Sequence, residues 1–197
     1  MRKLLVAACV LAAFASGARA ANPVVVMETS MGTIKIELYE DKAPITVKNF
    51  LSYVDDKFYD NTIFHRVIKG FMDQAGGFTT EHKEKKTKGP IKNEWQNGLS
   101  NTRGTLAMAR MTQPDTASAQ FFVNVGDNVR LDKPSPQTGY AGYCVFAKVI
   151  EGMDVADKIN NVATGQARFV TEHGPIAFDD VPREDVVIKS VRRTDAK

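Results

Sequence analysis

The stretch FHRVIKGFMDQAGG, residues 64–77, restricts more than any other how this chain can fold. It places a permanently charged side chain, Arg66, inside an apolar run that is typical of a β-strand. Because side chains alternate between the two faces of a strand, we expect Phe64 and Arg66 on one face and His65 on the other. A guanidinium beside apolar groups is costly unless it has a partner or a function. A structural ion pair with a nearby carboxylate is one interpretation, and a functional site is the other.

A second stretch, SAQFFVNV at residues 118–125, favours the functional interpretation. The alternation of a strand puts Gln120 and Phe122 on one face and Phe121 on the other. One face then belongs to the core, and the other presents an amide and an aromatic ring to a pocket. Together the two stretches indicate a pocket that combines an arginine, a glutamine amide and apolar walls.

The remaining apolar patterns indicate many short strands and two helices. We expect helices that begin at Ala43-Pro44 and at Asp154, the first with a proline in its opening turn. Residues 79–98 are expected to be mostly loop, and residues 163–183 a long irregular segment. Many short strands with two separated helices are typical of a barrel or a sandwich, and the pattern does not choose between them. The expected strands are residues 24–28, 33–38, 62–68, 71–74, 106–109, 121–125, 145–150 and 186–191.

The first twenty residues have the pattern of a signal peptide. A basic start precedes an apolar core that is too short for a stable membrane anchor, and Ala18-Arg19-Ala20 provides a cleavage site. We therefore expect a leader at residues 1–20, one domain at residues 21–197, and export of the mature chain. A lipoprotein tethered through Cys9 is an alternative, although few apolar residues precede that cysteine.

Removing the leader changes the charge balance of the chain. The whole sequence has 26 basic and 23 acidic residues, and three of the basic ones lie in the leader, so 23 of each sign remain. A neutral chain gives no indication of nucleic-acid binding. The three histidines have no metal-ligand spacing, so we expect no metal site. Cys144 is the one cysteine outside the leader and is expected to be a buried, unreactive thiol.

The two stretches, together with GTLAMARM at residues 104–111 and CVFAKVIEGMDVADKI at residues 144–159, resemble the cyclophilins, a family of peptidyl-prolyl cis-trans isomerases. The resemblance runs from about Val25 to Val191 and is closest to the bacterial periplasmic branch. It implies a mainly β fold, a closed eight-stranded antiparallel barrel capped by two helices. It also implies a monomeric periplasmic enzyme without a cofactor, which acts on proline-containing peptides and unfolded exported proteins and assists their folding.

The resemblance also implies roles for individual residues. Arg66 resembles the catalytic arginine of the family, and Gln74 resembles the amide that orients this arginine and the substrate. Ala109 and Arg110 correspond to the segment whose backbone pairs with the substrate main chain. The other substrate-binding residues that the resemblance implies are Phe71, Met72, Gln120, Phe122, Leu131 and Tyr143.

Three positions depart from the usual pattern of the family. Ala75 stands where a glycine is usual, so the backbone must have a negative φ there. Arg110 replaces a common asparagine, and Arg130 stands where eukaryotic members carry a tryptophan.

A protein of another class, a module or holdase that only binds proline-containing peptides, would use the same groove. Arg66 favours the enzyme, because a protein that only binds has no use for a hydrogen-bond donor aimed at the amide nitrogen.

Overall fold

The computed structural model describes residues 21–194, in which the chain forms ten strands and two helices. The expected leader, with its cleavage site and Cys9, lies outside the described residues. The elements in chain order are β1 (Val24–Thr29), β2 (Gly32–Leu38), α1 (Pro44–Asp55), β3 (Thr62–Ile68), β4 (Met72–Thr79), β5 (Thr105–Met108), β6 (Phe121–Asn124), β7 (Val145–Glu151), α2 (Met153–Asn160), β8 (Thr164–Thr171), β9 (Gly174–Pro182) and β10 (Val187–Arg193).

Eight of these strands close into an antiparallel barrel, as expected. Their order around the barrel is β1, β10, β3, β4, β6, β5, β7 and β2, and closure leaves no free sheet edge. Inward-facing side chains of the barrel strands form the main core together with Phe50 of α1, whose ring lies 5.2 Å from the ring of Phe146. The mainly β barrel with two helices is confirmed, and the barrel rather than the sandwich is the correct alternative.

Helix α1 begins at Pro44, and the missing N–H of proline costs nothing there because the first N–H groups of a helix have no acceptor within the helix. The residue before it, Ala43, has no side chain that can cap the helix. Glu94, from the long loop after β4, supplies the missing acceptors: its carboxylate accepts the backbone N–H groups of Ile45 at 3.1 Å and Thr46 at 2.8 Å. The negative charge also matches the positive end of the helix dipole, so this loop is tied to the barrel end that α1 covers.

A β-bulge interrupts β3 in front of Arg66. Phe64 pairs with Ala75 and Arg66 pairs with Gln74, so β3 advances by two residues where β4 advances by one. As a result Phe64 turns into the main core instead of sharing the face of Arg66. The strict alternation expected for this stretch was wrong at Phe64, because a period of two holds only while the register is unbroken.

Residues 163–183 were expected to be an irregular segment, but they form the hairpin of β8 and β9. This two-stranded sheet is separate from the barrel. It is seated on the barrel by a small apolar cluster in which Phe169 and Val181 of the hairpin pack against Ile63 and Phe78. The expected loop at residues 79–98 is confirmed, since it contains only isolated bridges.

The structure also tests the predictions for Cys144, for Ala75 and for the start of β4. Cys144 is buried, and burial raises the pKa of its thiol to about 11, as expected for an unreactive cysteine. Ala75 has no positive φ, so its Cβ is tolerated. Strand β4 begins at Met72 rather than Phe71 and continues to Thr79. No helix within residues 21–194 is long and apolar enough to cross a membrane.

Candidate active site

A pocket of about 630 Å³ lies where β3, β4, β5 and β6 meet the loop after β6 and the β8–β9 hairpin. Most of the residues that the sequence implied for the site line it. They are Arg66, Phe71, Met72, Gln74, Ala109, Arg110, Phe122, Leu131 and Tyr143. Gln120 is the exception, because it lines an adjoining hollow of about 470 Å³.

The pocket has two walls of different origin. We call the residues on barrel strands and on the loop after β6 the barrel wall, and define it as Arg66, Phe71, Met72, Gln74, Phe122 and Leu131. We call the residues contributed by β9 the hairpin wall, and define it as Ala177, Phe178, Asp179 and Asp180.

Arg66 is half-buried in the pocket and forms no ion pair or hydrogen bond with any residue between positions 21 and 194. The structural ion pair, one of the two interpretations of this residue, is therefore not formed in the described part of the chain. An unpaired guanidinium with five N–H donors is available to a ligand in the pocket.

The apolar part of the barrel wall is tightly packed. Met72, Phe122 and Leu131 are only 2%, 4% and 6% exposed and form one cluster with Ala107 and Val145. The expected register of β6 is confirmed, since Phe121 lies in the main core and Phe122 faces the pocket. Tyr143 meets Phe122 edge-on with 5.6 Å between ring centroids, and so completes an aromatic corner.

Buried amides fix the position of this apolar surface. The side chain of Asn128 donates to the backbone carbonyl of Phe71 at 2.8 Å and to the side chain of Asn124 at 2.8 Å. Asp132, directly after Leu131, accepts the backbone N–H of Asn101 at 2.7 Å. Satisfied buried polar networks of this kind rigidify the residues attached to them.

Gln74 was expected to orient the arginine. Its amide Nε2 instead donates to Oε1 of Gln120 at 2.9 Å, and the structure shows no hydrogen bond between Gln74 and Arg66. The pairing explains why Gln120, which does not line the pocket, still belongs to the site: it fixes Gln74. A Cβ on Gly77 would approach Gln120 to 2.5 Å, so glycine at this position leaves the room that the pair needs.

Arg110 contributes more than its backbone. Its guanidinium donates to the backbone carbonyls of Met111 at 2.8 Å and Thr138 at 2.7 Å, and to that of Ala141. It also lies 4.5 Å from the ring centroid of Tyr143, and burial lowers the pKa of the guanidinium. Arg110 therefore joins the segment after β5 to the loop before β7, and this contact sets one rim of the pocket.

Arg130 lies over the ring of Phe71, at 4.6 Å from its centroid. The residue is exposed, lines the pocket and places its guanidinium over the aromatic ring, a cation–π contact. A cation thus occupies this face of the Phe71 ring at the rim of the pocket.

Two buried titratable groups lie behind the walls. Asp73 is fully buried on β4 behind the barrel wall. Its Oδ1 accepts the amide of Asn160 at 2.7 Å, its Oδ2 has no partner, and burial raises its pKa to about 7. His65 lies behind the hairpin wall against Phe78, with 4.8 Å between ring centroids, and burial lowers its pKa to about 3.

The pocket residues that sequence reasoning missed are the four of the hairpin wall and Gln137 of the loop before β7. The one available signal was the alternation of apolar residues on either side of His173-Gly174, which is typical of a hairpin. Within residues 21–194 no group of three or more His, Cys, Asp or Glu side chains is arranged to hold a metal ion.

Comparison with known proteins agrees with this geometry. Residues 24–193 match the family described as "Cyclophilin type peptidyl-prolyl cis-trans isomerase/CLD". Peptidyl-prolyl cis-trans isomerase B of Escherichia coli is 56% identical over 167 residues, which cover 85% of this chain and 97% of that protein. A peptidyl-prolyl cis-trans isomerase of Acinetobacter baylyi is 55% identical over 172 residues, or 87% of this chain and 86% of that protein.

Solved structures give the same result. The crystal structure of a Cryptosporidium parvum cyclophilin type peptidyl-prolyl cis-trans isomerase superimposes with a TM-score of 0.67 at 25% identity, over 89% of this chain and 99% of that one. A second crystal structure of that protein, obtained in the presence of the dipeptide Ala-Pro, has the same TM-score at 26% identity, over 88% and 99% of the two chains.

Proposed function

Because the chain belongs to the cyclophilin-type peptidyl-prolyl cis-trans isomerases and is an enzyme of this activity, we propose that it acts on X-Pro bonds of proteins exported to the periplasm and assists their folding. The unpaired Arg66 beside the apolar side chains of the barrel wall is the observation that carries the assignment of the active site.

The reaction is a rotation without exchange of covalent bonds. The partial double bond of an amide gives a barrier of roughly 18–20 kcal/mol, and uncatalysed isomerisation at proline takes tens to hundreds of seconds. An enzyme accelerates it by binding the twisted amide more tightly than either planar form.

Arg66 is suited to this differential binding. In the twisted amide the proline nitrogen loses conjugation and becomes pyramidal, so its lone pair becomes a hydrogen-bond acceptor. The guanidinium is permanently protonated and has no hydrogen-bond or ion-pair partner among residues 21–194, so it can donate to that lone pair. This hydrogen bond is available only in the twisted state, and it therefore lowers the barrier rather than strengthening ground-state binding.

The barrel wall is suited to hold the proline ring while the carbonyl side rotates. Phe71, Met72, Phe122 and Leu131 present an apolar surface that asks for no new polar partner. Gln74, held by Gln120, offers its remaining amide groups to the peptide backbone beside the ring. The Ala-Pro dipeptide used with the Cryptosporidium relative is of the size that this surface would accept.

The proposed location depends on residues 1–20. Their basic start, short apolar core and Ala18-Arg19-Ala20 support a cleavable signal peptide and a periplasmic product. The neutral charge of residues 21–197 supports unfolded proteins and proline-containing peptides as partners, rather than nucleic acid.

One assay tests the active site. The chain from Ala21 onward is purified, and isomerisation of an Ala-Pro peptide is followed with a protease that cleaves only the trans form. Arg66→Ala should reduce kcat/KM by roughly 10²–10³, the range seen when one transition-state donor is removed. Its unfolding free energy should change by about 1 kcal/mol or less, because Arg66 has no partner in the fold. Normal turnover by the folded variant would contradict the proposed role.

A second experiment tests export. The full-length chain is expressed in a Gram-negative host, the periplasm is released by osmotic shock, and the mass of the recovered protein is measured. Recovery there of a chain that begins at Ala21 is the expected result. A lipid-modified chain that begins at Cys9, or an uncleaved chain in the cytoplasm, would contradict the proposal.

A further inference from the structure

The hairpin wall comes from a part of the chain that the barrel does not need for closure. Strand β9 lies beside β3 and is held there by the packing of Phe169 and Val181 on Ile63 and Phe78. This docking brings the hairpin wall to the side of the pocket that Arg66 also lines. Residues of the hairpin are therefore in a position to contact a peptide bound at Arg66.

A bulge in β9 decides which hairpin side chains reach the pocket. Gly165 pairs with Val181 and Ala167 pairs with Phe178, so β9 has one residue more than β8 between these pairs. At the bulge Asp180 adopts a left-handed conformation with φ of 59°. Bulges turn side chains away from strict alternation, which is why four consecutive residues of β9 line one pocket.

The two carboxylates at this bulge have different surroundings. Asp179 is exposed and accepts a hydrogen bond from the amide of Gln166 on β8 at 2.8 Å. Asp180 is half-buried, and its carboxylate has no hydrogen bond or ion pair with any group in residues 21–194. A partly desolvated charge without a partner is costly, so its place beside the substrate is best explained by contact with the substrate.

None of the three arginines that line the pocket forms an ion pair with Asp180. Arg110 is surrounded by backbone carbonyls, and Arg130 lies over the ring of Phe71. Arg66 is unpaired as well, and the proposed mechanism uses it at the reacting amide. A cationic side chain brought by the peptide would be the missing partner of Asp180.

We infer that Asp180 is a specificity-determining residue, which binds the ammonium or guanidinium of a Lys or Arg close to the proline of the substrate. The inference rests on the proposed binding of the X-Pro bond at Arg66. Lys and Arg have long flexible stems that can follow the pocket rim to the hairpin, and a charge-assisted hydrogen bond to a carboxylate is stronger than a neutral one.

The test uses peptides that carry Lys, Ala or Glu at each of the two positions before and the two positions after proline. At low ionic strength we expect one position at which kcat/KM for Lys exceeds that for Glu by about three- to ten-fold, as for a partly exposed ion pair. Salt at about 0.5 M should reduce this ratio. Asp180→Asn should bring it close to one, and the backbone should stay unchanged because Asn also tolerates a positive φ.

Asp179→Asn is the matched control, since it removes the same charge one residue away from a carboxylate that already has a partner. It should retain most of the preference for Lys. A preference that is equal in the wild type and in Asp180→Asn at every position, or that depends more on Asp179, would overturn the inference alone. Normal turnover of the Ala peptides by Arg66→Ala would overturn the proposed site and this inference together.

Discussion

The two walls of the pocket differ in the burial of their side chains and in the sheet that carries them. The apolar centre of the barrel wall, Met72, Phe122 and Leu131, is nearly fully buried. The other residues of this wall are half-buried, but closure of the barrel holds its strands on both sides and buried amides fix its loops. The hairpin wall consists of exposed or half-buried side chains on a two-stranded sheet, with a left-handed residue at its bulge. A two-stranded sheet depends on what it packs against, because alone it is at best marginally stable.

This difference separates two tasks of the enzyme. The proposed chemistry needs one donor and one apolar surface held in fixed geometry, and the closed barrel provides both. Choice among peptides needs only modest interactions at the rim, and a hairpin outside the barrel can change without loss of closure. We therefore expect substitutions of the buried apolar residues of the barrel wall to affect stability and turnover together. Substitution of the unpaired Arg66 should affect mainly turnover, and substitutions in the hairpin wall mainly the choice of peptide.

Truncation of the barrel wall should give the largest effect on stability. Phe122→Ala removes a ring that is 4% exposed and packed in the cluster with Met72 and Leu131. We expect the unfolding free energy to fall by about 3–5 kcal/mol, and KM for an Ala-Pro peptide to rise because the proline ring loses its support. Urea unfolding and the coupled isomerisation assay measure the two effects. A loss below about 1 kcal/mol would mean that the wall is as loose as the hairpin.

The buried groups behind the walls should give opposite pH dependence. Between pH 4 and 7 folded Asp73 binds more proton than the unfolded chain, because its pKa is raised to about 7, so its contribution to stability falls as pH rises through this window. His65, with its pKa lowered to about 3, has the reverse effect: its contribution is complete above pH 6.5 and is lost as pH falls from 6.5 to 3. In the wild type the two trends oppose each other.

Asp73→Asn should separate these trends. The variant lacks the acid behind the barrel wall, so the unfolding free energy of the variant minus that of the wild type should increase from pH 4 to pH 7, by on the order of 2–3 kcal/mol. Urea unfolding at pH 4, 5, 6, 7 and 8 gives this difference directly. Asp154→Asn, on the exposed side of α2, is the control and should show no such trend. A flat difference for Asp73→Asn would mean that the buried carboxyl is ionised at all of these pH values.

The barrel wall and the hairpin wall also differ in how far the sequence could predict them. The strands of the barrel follow from local patterns, and so does a pocket with Arg66, Gln120 and Phe122: apolar strands of ordinary length, a proline at the start of α1, and an arginine and a glutamine beside aromatic residues in two short stretches. The other residues of the barrel wall were implied by the resemblance. The order of the strands and the closure of the barrel were implied by the resemblance to the cyclophilins, since periodicity alone left a sandwich open.

What the sequence could not predict depends on register and on distant partners. The bulge that turns Phe64 into the core leaves no local mark in FHRVI, because both registers bury an apolar residue. The hydrogen bond that takes Gln74 to Gln120, and the capping of α1 by Glu94, join residues that are 46 and 48 positions apart. The hairpin was missed because many polar residues obscure its alternation, and its seat on Phe78 is a tertiary contact.

The hairpin wall offers the counterpart of Phe122→Ala, a truncation of its own aromatic residue. Phe178 is half-buried and its ring meets those of Phe78 and Phe169 at centroid distances of 5.5 and 5.1 Å. Because part of this ring already contacts water, Phe178→Ala should reduce the unfolding free energy by only about 1–2 kcal/mol, less than Phe122→Ala.

Phe178 also lines both the pocket and the adjoining hollow, so its removal should join the two spaces and relax the choice among peptides, with smaller changes for a short Ala-Pro peptide. Unfolding of both variants in one buffer, with peptide panels for each, measures the contrast. Equal loss of stability from the two truncations would show that the hairpin is as integral to the fold as the barrel wall.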